Sequence, residues 1–196
     1  MVGYPKMRSM RIIIKFSREK KCGKVEPVDI GEKLRQAKSP EDLVDITLYH
    51  GMRCKDPEKL LREGFHVPSA DEMKKNIEEA LSYFNINVDR LTELQKDMLE
   101  NLMIEIRERE GILWTTAYDA CGYAKRNPEH VLVALSIAGV PDKEITKYLE
   151  YKFGKPYMLT LNIKPTKAQI LSAGLTNIPI RKKFIRPEDI RNMCLC

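Results

Sequence analysis

Leu113-Trp114-Thr115-Thr116-Ala117-Tyr118-Asp119-Ala120-Cys121-Gly122-Tyr123-Ala124 reads as a strand that breaks into a helix carrying spaced aromatics. Thr116 is placed to cap that helix, with Asp119 at the third position as a capping-box variant. Thr115 falls at the strand end, where a hydroxyl can reach a pocket. Ala117, Ala120, Cys121 and Ala124 form a small-residue face suited to close packing, while Tyr123 lies on another face and Trp114 immediately precedes the turn. Two aromatic faces beside a cleft suit stacking on a flat ring, although aromatics in such positions also serve as ordinary core.

Upstream, Thr47-Leu48-Tyr49-His50-Gly51-Met52 is a β-rich run that ends in a histidine and a glycine. A glycine at a strand end lets the backbone approach a flat ligand, because no Cβ intervenes. Its N–H and C=O offer the donor and acceptor that a primary carboxamide needs, and the imidazole beside it can bond a ribose hydroxyl. A histidine capping its own strand beside a turning glycine is the plainer alternative.

The flanks give an α+β pattern. Residues 10–16 form a β-branched run that predicts an edge strand. Ser39-Pro40-Glu41-Asp42 has the signature of a helix start, and Asp56-Pro57 with Gly64 brackets a short helix. Across residues 71–110, Leu91, Leu94, Met98, Leu102 and Ile106 recur at three- and four-residue steps, which predicts an amphipathic helical hairpin broken at residues 85–88. Asn127-Pro128-Glu129 opens another helix that Gly139 closes, and residues 141–154 form one more. Residues 157–164 and 177–181 read as strands, with Pro179 marking an edge or a bulge. Helices outside a mainly antiparallel sheet, in one domain spanning residues 1–196 with 71–110 as a helical insertion, is the expected architecture.

The 196 residues suffice for one domain with a real core, and 43% hydrophobic with 32% charged residues is an ordinary globular balance. No apolar run reaches the length of a membrane span or of a signal-peptide core, so a cytoplasmic protein without a membrane partner is expected. The net charge of +6 is uneven. Residues 1–30 carry eight Lys/Arg against three Asp/Glu, whereas residues 71–110 carry eleven acidic against six basic. Arg181, Lys182, Lys183, Arg186 and Arg191 make the tail basic again. Such patches attract phosphate-rich partners, or simply solvate a lysine-rich surface. Five cysteines without a Cys-x-x-Cys pair argue against a disulfide framework and against a metal site, and the closing Cys194-Leu195-Cys196 reads as incidental.

Tyr49-His50-Gly51 resembles the His-Gly motif of ADP-ribosyltransferases of the diphtheria-toxin and poly-ADP-ribose-polymerase group. Trp114-Thr115-Thr116 resembles their aromatic-Ser-Thr strand end, and Tyr118-Asp119-Ala120-Cys121-Gly122-Tyr123 is similar to the toxin-type Tyr-Asp-Ala-Ala-Gly-Tyr. The stretch from Ile178 to Pro187-Glu188-Asp189-Ile190 resembles the family's last strand, so the likeness runs over roughly residues 47–190. It implies a split antiparallel sheet and NAD as a substrate, held by His50, Gly51, Trp114, Thr115, Thr116, Tyr118 and Tyr123, with a protein or nucleic-acid target. His50 and Tyr123 would act in the reaction with Asn177, which stands nearest the place where catalytic members carry a glutamate. Asparagine bonds a hydroxyl but brings no negative charge, a loss of the kind that costs about 100–1000-fold in rate. A non-catalytic binder of a nucleotide or of ADP-ribose, an RNA 2′-phosphotransferase with Arg53 and Arg181 as candidate pocket arginines, and a pocketless basic nucleic-acid-binding protein are the competing expectations.

Overall fold

The computed structural model describes residues 21–26, 28–174 and 177–196. The strand expected across residues 10–16 lies outside them. Three antiparallel sheets carry the fold. β1 (Leu48–Cys54), β4 (Lys155–Leu161) and β7 (Ile190–Leu195) pair in the order β1-β4-β7, β3 (Ile112–Thr115) pairs with β5 (Ile178–Arg181), and β2 (Phe65–His66) pairs with β6 (Phe184–Ile185). The expected class, helices around antiparallel sheets, is the one observed.

β1 meets the residue just after β3 at one backbone bridge, where Tyr49 and Thr116 exchange N–H···O bonds of 2.8 Å in both directions. No further pairing joins these two strands among the described residues, so their edges part beyond the bridge. The apolar sides of the sheets share a core of Leu48, Leu159, Ile178, Ile185 and Ile190.

A second core belongs to helices. α3 (Ala70–Tyr83) and α4 (Glu93–Glu108) each start on a capping box, Ser69 with Glu72 and Thr92 with Gln95. Each box satisfies two backbone N–H groups that the first helical turn leaves free. Between them Asn85 turns the chain at φ 54°, a left-handed conformation that asparagine tolerates. The hairpin expected across residues 71–110 therefore forms. It is not separate from its surroundings: with α6 (Glu129–Ile137) and α7 (Asp142–Phe153) it closes around Ile77, Leu102, Val131, Leu135 and Leu149. Its buried stripe is Leu99, Leu102 and Ile106, while Leu94 and Met98 of the expected stripe are exposed.

α2 (Pro57–Glu63) matches its signals, with Asp56 accepting from the Lys59 N–H and Gly64 at the C-terminal end with φ 76°. The helix expected at Ser39-Pro40 is a turn. The Asp42 carboxylate bonds back to the Lys38 and Ser39 N–H groups and to the Ser39 hydroxyl, which uses the capping chemistry on the preceding chain. α1 (Ile30–Gln36), capped by Asp29, lies just before it, and α8 (Lys167–Ser172) starts on a capping box of Thr166 and Gln169. Neither was expected, nor was β7.

The cysteines also depart from expectation. Cys22 is joined to Cys194 with Cα atoms 5.0 Å apart, and Cys121 to Cys196 at 5.3 Å, leaving Cys54 as the free thiol. Spacing carried no hint of this, because the partners lie 172 and 75 residues apart. The terminal Cys194-Leu195-Cys196 is thus part of the structure. Among the described residues, no helix is long and apolar enough to cross a membrane.

Candidate functional site

A cleft of about 770 Å³ lies where the sheets meet the helical layer. That size suits a cofactor or a drug-sized ligand. One wall is β1 and the chain around β3, and the other comes from α3, α4 and α6. The acidic hairpin thus faces the two segments singled out in the sequence.

His50 and Gly51 sit in the middle of β1 rather than at a strand end. Antiparallel pairing alternates the direction of backbone groups along a strand. Tyr49 turns its N–H and C=O away from β4 toward Thr116, so Gly51, two residues on, turns its own the same way, into the space where β1 and β3 part. The Asn127 side chain donates to the Gly51 carbonyl at 2.7 Å, leaving the second lone pair of that carbonyl to another donor. The reason for the glycine differs from the sequence expectation. A Cβ at residue 51 would meet the Ala120 carbonyl oxygen and would lie 2.5 Å from the Ala124 nitrogen. Gly51 lets α5 (Cys121–Arg126) lie directly on β1, and it is the backbone edge that faces the cleft.

The His50 Nδ1–H donates to the Trp114 carbonyl at 2.8 Å, tying β1 to β3. That bond fixes the tautomer and leaves Nε2 as an acceptor. Burial pushes the imidazole below its ordinary pKa, against the pull of the Trp114 carbonyl, so the ring is neutral at pH 7. A neutral Nε2 is suited to accept from a ligand hydroxyl.

Trp114 and Tyr123 both line the cleft, and both are large aromatic side chains left 40% and 41% exposed. Asn177, immediately before β5, lines it too. Tyr49, His50, Gly51, Trp114, Thr116, Tyr123 and Asn177 therefore share one cavity.

Three site expectations change. Thr115 is fully buried and its hydroxyl donates to the Ile178 carbonyl at 2.9 Å, so it joins β3 to β5 and does not face the cleft. Thr116 does not cap a helix. Its hydroxyl donates to the Tyr118 carbonyl at 2.6 Å, and α5 begins later, where Asp119 accepts from the Cys121 N–H. Tyr118 is not among the cleft-lining residues; burial and the adjacent Tyr123 hold its phenol above its ordinary pKa.

The cleft's charges were mostly missed in the sequence. Arg53, one of two arginines singled out there, donates to the Gly154 carbonyl at 3.0 Å and the Lys125 carbonyl at 2.8 Å. Those carbonyls lie at the C-terminal ends of α7 and α5, where a cation is favoured. Burial pulls the guanidinium below its usual pKa, yet a guanidinium stays charged. Its Nε is buried without a partner, as is Nε2 of His130, and both residues line the cleft. Burial and the neighbouring Arg109 push His130 down to about 4. Arg109 and Arg126 also line the cleft, whereas Arg181 does not. The carboxylates among the lining residues are Glu105 and Glu129, and both pair with Arg109, at 3.4 and 3.6 Å. Arg126 and Arg53 have no carboxylate at ion-pair distance among the described residues. Asn-Pro at 127–128 signalled only a helix start, and nothing local marked Arg126 or His130.

The arrangement offers a flat ligand two aromatic faces, a backbone donor and acceptor, an imidazole acceptor and uncompensated positive charge. Comparison with family models, with curated proteins and with solved structures gave no match.

Proposed function

We propose that the cleft binds NAD and that the protein is an NAD-dependent ADP-ribosyltransferase built on a split antiparallel sheet. One observation carries this: the Gly51 backbone edge, the His50 Nε2 acceptor and the exposed rings of Trp114 and Tyr123 converge where β1 and β3 part. A nicotinamide ring is flat, carries a primary carboxamide and is attached to a ribose. The Gly51 N–H would donate to the carboxamide oxygen, and the Gly51 carbonyl would accept from its NH₂. Tyr123 and Trp114 would cover the ring, and His50 would accept from a ribose hydroxyl. Arg126 and Arg53 supply the positive charge a pyrophosphate requires.

Held this way, the bond between nicotinamide nitrogen and ribose breaks with the electron pair leaving on nicotinamide. Positive charge then develops on the ribose. Asn177 can orient a hydroxyl there but offers no charge to stabilise it, so transfer to a neutral acceptor is expected to be slow.

A second reading concerns the acceptor. Arg126 on the cleft wall, with no carboxylate at ion-pair distance among the described residues, favours a phosphate monoester, as on 2′-phosphorylated RNA. Such a group is already anionic at pH 7 and needs no general base to attack the ribose carbon. A binding module without turnover is the remaining alternative, favoured by Asn177. Nicotinamide release, followed by chromatography with NAD alone and with a 2′-phosphorylated oligonucleotide added, separates the three. Release with NAD alone supports transfer to water or protein, and release only with the oligonucleotide supports the phosphate acceptor. Saturable binding without release supports the module, and no binding refutes all three.

A further inference from the structure

Four of the five cysteines meet in one place, although they come from three separate segments. Cys22 lies where residues 21 and 22 run beside β7, with its N–H on the Leu195 carbonyl. Cys121 is the first residue of α5. Cys194 lies near the end of β7 and Cys196 directly follows that strand, two residues on, a step that in continued extended backbone turns both side chains to one face. The Cys196 N–H is held by the Pro156 carbonyl. The sulfurs of Cys22, Cys121 and Cys196 all lie within 4.8 Å of one another, with Cys22 and Cys196 3.9 Å apart across the two bridges, and Cys194 is bonded to Cys22.

Two independent cross-links gain nothing from adjacency, since each acts through the loop it closes. A single four-ligand centre requires it. Tetrahedral zinc with Zn–S of about 2.3 Å has sulfur–sulfur edges of about 3.8 Å, close to the 3.9 Å between Cys22 and Cys196. The surroundings are those of a structural site. Cys194 is 9% exposed, and Ala120, Met158 and Val25 pack beside the cluster.

We propose that Cys22, Cys121, Cys194 and Cys196, as thiolates, hold one Zn²⁺ in a closed tetrathiolate site. In the structure the four sulfurs are paired as two disulfides, so the metal-loaded form requires a thiol or phosphine reductant that delivers two electrons to each S–S bond. Each resulting thiol then gives its proton to solvent as its sulfur binds zinc. All four positions are filled by protein sulfur, so the metal has no open position for chemistry. It ties the N-terminal segment and the end of β7 to the start of α5, two residues before Tyr123. Cys54 is not part of the cluster.

The test is metal content and thiol state of the full chain, purified without chelator in an oxygen-free phosphine-containing buffer. Expected is about one zinc per chain by elemental analysis. Replacing zinc with Co²⁺ should give thiolate-to-cobalt charge-transfer bands in the near ultraviolet and tetrahedral d–d bands in the visible. Cys196→Ser and Cys22→Ser should each abolish stoichiometric zinc, and Cys54→Ser should leave it unchanged. Wild-type stoichiometry and cobalt spectra do not depend on how the variants fold. Metal-free protein overturns the proposal, whether mass spectrometry shows two disulfides or thiol titration finds all five cysteines reduced. Zinc that survives Cys196→Ser at full stoichiometry overturns it as well.

Discussion

Replacing Arg53 with methionine removes the two donors that hold the ends of α5 and α7 against β1. The arginine spans the Lys125 and Gly154 carbonyls at 2.8 and 3.0 Å, and the residue is 9% exposed. Methionine keeps an unbranched apolar stem in the same channel, so packing changes little and the hydrogen bonds are the main loss. A bond from a charged donor is worth about 1.5–3 kcal/mol, and a buried carbonyl left without a donor costs about 1–3 kcal/mol. The Lys125 carbonyl lies in a half-buried place where water can replace part of the bond, so the loss is about 3 kcal/mol rather than the full sum. In guanidinium chloride this lowers the unfolding midpoint by roughly 0.5–0.8 M. Arg53→Lys should lose about half as much, since an ammonium is a point charge that cannot fork to two carbonyls. Chemical denaturation followed by far-ultraviolet circular dichroism measures both. A loss below about 1 kcal/mol for Arg53→Met, or a lysine variant as stable as wild type, would refute the bridging role.

Gly51→Ala places a methyl against the backbone of residues 120 and 124, which cannot yield as a side chain can. Thermal unfolding should show a loss of about 1–3 kcal/mol, with weaker NAD binding as α5 shifts. Thr115→Val removes the bond to the Ile178 carbonyl, so about 1 kcal/mol of stability should go while NAD affinity stays unchanged; altered affinity would return Thr115 to the cleft. His130 is held neutral in the folded chain down to about 4, against an ordinary value of 6.5. The unfolded chain therefore takes up the proton first. The stability His130 contributes is complete above about pH 6.5 and is lost as pH falls from there through about 4. A His130→Gln variant should show a shallower loss across that window in denaturation midpoints taken at several pH values, and an identical slope would count against the buried neutral imidazole.

Local signals carried α2 and the helical hairpin into the fold, because caps act within a turn and an amphipathic period is visible in one segment. Asp56, Pro57 and Gly64 bound α2 where the sequence placed it. The same kind of signal misled at Ser39-Pro40, because Asp42 can satisfy the N–H groups behind it as readily as Ser39 can cap those ahead. β7 was hidden by its own pattern. Its pairing with β4 is irregular at Thr160 and Leu161, and buried and exposed residues do not alternate along it. Leu94 and Met98 fit a helical stripe by period, yet both stay exposed, Met98 on the wall of the cleft and Leu94 away from it.

The candidate site was legible where it depended on residue type along a short stretch, and illegible where it depended on long-range approach. His50, Gly51, Trp114, Thr116, Tyr123 and Asn177 line one cleft, but Thr115 turns the other way, its hydroxyl bonded to the Ile178 carbonyl of the paired strand. Gly51 was read as making room for a ligand, and it makes room for α5. Arg109, Arg126 and His130 reach the cleft only through the packing of α4, α5 and α6. The cysteine cluster joins segments 75 and 172 residues apart, a separation that no spacing motif spans.

Trp114 is the only tryptophan of the chain and lies exposed in the cleft, so its fluorescence reports directly on whether the site takes NAD. Titration with NAD should quench and shift that emission to saturation. Tyr123→Ala should weaken the binding by about 1–3 kcal/mol, or about 5–150-fold in dissociation constant, if its ring covers nicotinamide. Emission unchanged at millimolar NAD, or a folded Tyr123→Ala variant that binds as tightly as wild type, would contradict the account.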